Sequence, residues 1–78
     1  MSATVAIISD AHANYEVKRI SAKPAMYVAY VTAQNLPQEA LHRDGRSFAE
    51  ALRMIAMHIE ATNRTVAAIT PHLRLVQG

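Results

Sequence analysis

The chain has 78 residues, and a domain of that size buries only about 60% of the surface its unfolded form exposes, so self-association or a bound partner is expected to add stability. It contains no cysteine, which excludes a disulfide framework and a thiolate metal site and fits a reducing, cytoplasmic location. Its apolar runs fall far short of the roughly 20 residues of a membrane span, no secretory leader is expected, and a net charge of +2 from scattered basic residues reads as a mixed solvated surface.

Thr4 to Ile8 is a short β-branched run ending at Ser9-Asp10 and predicts a first strand. Tyr15-Glu16-Val17-Lys18 alternates apolar and charged residues, the pattern of a half-exposed strand that continues to Ile20. Ser21-Ala22-Lys23-Pro24 then predicts a turn. From Ala25 to Thr32 the chain is apolar on both faces, with Met26, Val28 and Tyr30 on one and Tyr27, Ala29 and Val31 on the other. A strand apolar on both sides belongs inside a sheet. Between Thr32 and Asp44, Asn35 and Pro37 mark a turn, and Ala40-Leu41 is read as a short strand that pairs back before Gly45.

Ser47 is a good N-cap, and Glu50 three residues later completes a capping box, so a helix starts here. At about 100° per residue, Phe48, Leu52, Ile55 and Ile59 share one arc, flanked by Ala51 and Thr62, which is the predicted core face. Glu50, Arg53 and Glu60 mark the solvent side. Met57 sits in the middle of that polar side, with Met54 and Ala61 beside it. Methionine recurs at adaptable binding surfaces, so Met54, Met57 and Ala61, with Arg53, form a candidate contact with another chain. The competing reading is that scattered exposed apolar residues are ordinary. Arg43 and Arg46, also candidate partner-binding residues, precede the helix N-terminus, where free amides and the helix dipole favour an anion such as phosphate, a modest signal for nucleic acid. Asn63 is a reasonable C-cap, Thr65 to Ile69 is β-branched enough to predict a strand, and Pro71 separates it from an edge strand, His72-Leu73-Arg74-Leu75-Val76. The sum is α+β: one domain spanning 1–78, a small, mainly antiparallel sheet of three or four strands with one amphipathic helix packed on it.

The order Tyr27-Val28-Ala29-Tyr30-Val31, Leu36-Pro37, Gly45, Ser47, Glu50-Ala51-Leu52 and then a long amphipathic helix resembles the HicB-type antitoxin domain, over Tyr15 to Thr62. It departs from that pattern at Gln38, where the family usually carries glycine, and in a longer segment between Pro37 and Gly45. The resemblance implies a non-enzymatic protein-binding module with no cofactor, which neutralises a small RNA-cleaving toxin by covering its active surface. The partner sought is therefore a protein, either a toxin or a host enzyme, together with a second copy of the chain in a homodimer. Many members add a separate DNA-binding segment, but no helix-turn-helix or ribbon-helix arm is legible here. A phage-type inhibitor of a host system would read the same way. A third reading comes from Tyr15-Glu16-Val17, Val28-Ala29-Tyr30 and the later helix, which resemble one half of the GyrI-like effector-binding domains, in which paired halves enclose a small molecule.

Apparent enzymatic motifs dissolve on inspection. Val5 to Asn14, with Asp10 and His12 after an apolar strand, resembles the first metal-binding motif of metallophosphoesterases. A two-metal hydrolase needs further Asp, Asn and His ligands from later strand ends. The corresponding Gly-Asp, Gly-Asn-His and Gly-His-x-His motifs do not occur, and Gly45 and Gly78 are the only glycines. Asp10 and His12 are therefore expected to be strand-exit residues, with Asp10 in an Asx-turn. His42, His58 and His72 lack the i, i+4 spacing of a helical metal pair, and His58 is expected to be half-buried at the flank of the core arc. His42-Arg43-Asp44 matches the core of a kinase catalytic loop without its downstream asparagine or phosphate loop, a chance likeness. Tyr15, Tyr27 and Tyr30 could stack bases, but in strands this apolar they are read as core residues.

Overall fold

A computed structural model describes residues 3–76. The alternating and apolar runs form β1 (Ala3–Ser9), β2 (Ala13–Ala22) and β3 (Ala25–Ala33), which pair antiparallel in succession. A short β4 (Glu39–Ala40) adds to β3, and β5 (Leu73–Leu75) adds to β1, so the five-stranded sheet has the order β4-β3-β2-β1-β5. The chain is thus α+β, with one strand more than the upper expectation. β2 reaches further than its alternation suggested. Ser21 and Ala22 continue the ladder after a bulge at Ile20, and the turn shrinks to Lys23-Pro24.

β3 lies inside the sheet, as its two apolar faces require, but its far neighbour is barely a strand. Beyond β4 the chain stays alongside β3: Leu41 donates to the Ala29 carbonyl at 2.8 Å, and Tyr27 and Arg46 exchange both backbone bonds at 2.7 and 2.9 Å. Between them the His42 ring stands in for backbone. Its Nε2 accepts from the Ala29 amide at 3.0 Å, and its Nδ1 donates to the Asp44 carbonyl at 2.8 Å. That satisfies a buried amide the ladder would otherwise orphan, and it explains why a histidine is only 7% exposed here. Gly45 allows the close approach that follows, since a Cβ there would lie 2.9 Å from Met26 Cβ.

Helix α1 (Phe48–Ala61) begins where the cap predicts: Ser47 Oγ accepts from the Glu50 amide at 3.2 Å. Glu50 answers the Ser47 hydroxyl at 3.4 Å rather than the Ser47 amide, so the box closes through side chains. α1 packs across β2 and β3 and buries Ala51, Ile55 and Ile59 against Tyr15, Val17, Ala29 and Val31. Phe48 and Leu52 are half-buried at the margin of that face, and Thr62 is exposed. Met54, placed by sequence on the polar side, instead packs partly buried against the core.

The expected strand from Thr65 to Ile69 is a helical turn, α2 (Val66–Ile69), followed by a 3-10 turn, Thr70–His72. Its β-branched residues are overruled by geometry. Val66 and Ile69 both pack on the core, and residues three apart share a face in a helix but oppose each other in a strand. The expected edge strand is present as β5, extended by a Val76 amide bond to the Val5 carbonyl at 2.9 Å.

Candidate functional site

The C-terminal end of α1 is closed by Asn63 in a left-handed conformation, φ 61°. The Asn63 amide bonds the Glu60 carbonyl at 3.0 Å and the Arg64 amide bonds the Ile59 carbonyl at 3.1 Å, the paired contacts of a Schellman cap. The cap throws the Arg64 side chain back across the sheet end. There its Nη1 meets Asp10 Oδ2 at 2.5 Å, its Nη2 donates to the Tyr15 hydroxyl and its Nε donates to Thr62 Oγ1 at 2.9 Å. The other carboxylate oxygen of Asp10 accepts the His12 and Ala13 amides, each at 2.8 Å, forming the expected Asx-turn. Both oxygens of Asp10 thus accept hydrogen bonds from within the chain.

Tyr15 is fully buried, and its hydroxyl also lies 2.9 Å from His58 Nδ1. The Tyr15 hydroxyl thus bridges the Arg64 guanidinium and the His58 ring. Burial raises the Tyr15 pKa; the Arg64 charge opposes that and the Asp10 carboxylate adds to it. Burial also pushes Asp10 upward, but the Ala13 and His12 amides and Arg64 outweigh it and hold the carboxyl below its ordinary value. Four side chains, from the β1–β2 turn, β2, the helix and the cap, thus form one hydrogen-bonded clasp in which Arg64 pairs with Asp10.

At the other end of α1, Arg46 pairs with Asp44 at 3.2 Å and Glu50 at 3.8 Å, all partly or largely exposed. Hydrogen bonding, including one from the Arg46 side chain, holds Asp44 below its ordinary value. The expected anion position therefore has two carboxylates beside it, and Arg43 stands exposed next to them.

The candidate contact surface on α1 resolves into a line. Arg53, Met57 and Ala61 follow at i, i+4 and i+8, all exposed, with Met57 at 56%. That line is about 12 Å long at the helical rise. Met54 is not part of it, because it packs on the core, and Arg43 and Arg46 lie at the far N-terminal end. The clasp was missed in the sequence because its bonded pairs are 43 to 54 residues apart and share no local signal. The chain matches no family model, no curated protein and no solved structure.

Proposed function

We propose that this chain is a non-enzymatic protein-binding module that neutralises a macromolecular partner by covering part of its surface, the role that the resemblance to HicB-type antitoxins implies. The observation that supports this reading is the exposed line Arg53, Met57, Ala61 on α1, in which a large apolar side chain stands more than half exposed between an arginine and an alanine. Flexible apolar side chains flanked by arginine are the composition of interface cores. The helix is packed on β2 and β3, so its backbone is already ordered before binding.

The partner is a small RNA-cleaving protein, and occlusion requires no chemistry from this chain. The test is co-purification from native lysate with the wild-type chain, identification of the bound protein, and assay of its RNA cleavage with and without the chain. Met57→Glu carries the decisive comparison. Its circular dichroism melt should match the wild type, because the side chain is exposed, while an unpaired carboxylate at a dry contact should weaken binding by several kcal/mol. Retained binding and inhibition by Met57→Glu would remove the line from the contact.

A further inference from the structure

β5 is an outer strand of the sheet, and its ladder with β1 decides which of its backbone groups are free. The Val76 amide bonds the Val5 carbonyl at 2.9 Å, and hydrogen-bonded pairs recur at every second residue of an antiparallel ladder. Arg74, opposite Ile7, is therefore the next such pair, and Leu75, opposite Ala6, turns both its N–H and its C=O away from the sheet. Leu73 lies the same way, but its N–H is spent on the Thr70 carbonyl. Leu75 is thus the residue of β5 that directs both a donor and an acceptor at the open edge. Its side chain shares the helix side of the sheet with that of Ala6, and at 68% it is the most exposed large apolar residue among the described residues. Val5, Tyr27, Phe48 and Val76 line an apolar hollow beside it.

We infer that β5 pairs antiparallel with β5 of a second copy about a twofold axis through Leu75, joining the two five-stranded sheets into one. A residue that offers one donor and one acceptor is its own complement. Under that axis each Leu75 amide donates to the other Leu75 carbonyl, and both free groups are satisfied. The side chains agree with the same register. On the helix side Leu75 meets Leu75, apolar on apolar, and on the other face Arg74 stands opposite Val76 of the second copy. An axis one residue earlier would set Arg74 against Arg74, two like charges directly opposite each other. The pairing covers an open edge and adds buried surface to a domain of only 78 residues. It uses a different surface from the Arg53, Met57, Ala61 line and stands whether or not that line binds a partner.

Sedimentation velocity on the purified chain, from low micromolar to millimolar concentration, tests it, and the upper end should give twice the mass of one chain. Leu75→Pro removes the outward N–H and leaves the β1 ladder whole, since an edge strand tolerates proline where its N–H side faces solvent. It should weaken self-association about tenfold or more, because both symmetry-related bonds are lost. At concentrations where the wild type is monomeric, the two should melt together. Leu75→Lys keeps the N–H but sets two like charges side by side, and should weaken association in the same direction. The chain has no cysteine, so Leu75→Cys reads the register directly. The Cα atoms of a hydrogen-bonded pair lie about 5.5 Å apart, within reach of a disulfide. Leu75→Cys should therefore oxidise to a covalent dimer, while Gln34→Cys, exposed beyond β3, should stay monomeric. A monomer at every concentration, a dimer that survives both Leu75→Pro and Leu75→Lys, or a Leu75→Cys chain that cross-links no faster than Gln34→Cys would each overturn the pairing.

Discussion

Each end of α1 carries an arginine held by an aspartate, and the two ends differ in burial. At the C-terminal end the Arg64 and Asp10 side chains are each 12% exposed, and the guanidinium also holds the buried Tyr15 hydroxyl. At the N-terminal end Arg46 and Asp44 are 37% and 69% exposed, and both charges keep their water. The same residue types form a structural clasp in one place and a solvated surface in the other. Burial decides this, because removing one partner of a dry pair leaves an uncompensated charge, while removing one partner of a wet pair leaves a hydrated one.

The sharpest way to break that comparison is Arg64→Ala. It removes the charge partner of the Asp10 carboxylate and one of the two partners of the buried Tyr15 hydroxyl, and urea denaturation should show a loss of about 3 kcal/mol. That is a large part of the 5–15 kcal/mol typical of a whole domain. A loss no greater than that of the corresponding change at Arg46 would erase the distinction between the two ends.

Next in size is the pH dependence. Asp10 titrates below its ordinary value of 3.8 in the folded chain, so its contribution is fully present above that pH and is lost as the pH falls through the lower, folded value. Tyr15 titrates above its ordinary 10.0, so its contribution holds below that pH and is lost as the pH rises through the higher, folded value. Stability measured against pH should therefore fall at both extremes, and Arg64→Ala should flatten the acid limb. An acid limb unchanged in that variant would mean Asp10 is not held by the clasp.

The smallest expected effect is that of Arg46→Ala, within about 1 kcal/mol and shrinking further in high salt, because its partners are exposed. A larger loss would show that the backbone pairing of Arg46 with Tyr27 depends on its side chain.

Much of the scaffold was legible in the sequence because its signals are local. The alternation of Tyr15 to Lys18, the two apolar faces of β3, the Ser47 cap and the Asn63 terminator each act within a few residues. Backbone sterics and side-chain period set them before any packing occurs. The candidate contact line was legible only in part. Helical spacing places Arg53, Met57 and Ala61 together, but which way Met54 turns depends on how α1 is rotated against the sheet.

Tertiary structure alone decided the rest. Thr65 to Ile69 became helical because Val66 and Ile69 must reach the core from one side, a demand that comes from the sheet and outweighs weak β-propensity. His42 became a backbone substitute because the strand beside β3 stops after two residues and leaves the Ala29 amide to be satisfied. Asp10, Tyr15, His58 and Arg64 became one clasp because folding brings distant segments to the same end of the sheet, where a buried polar group must find a partner.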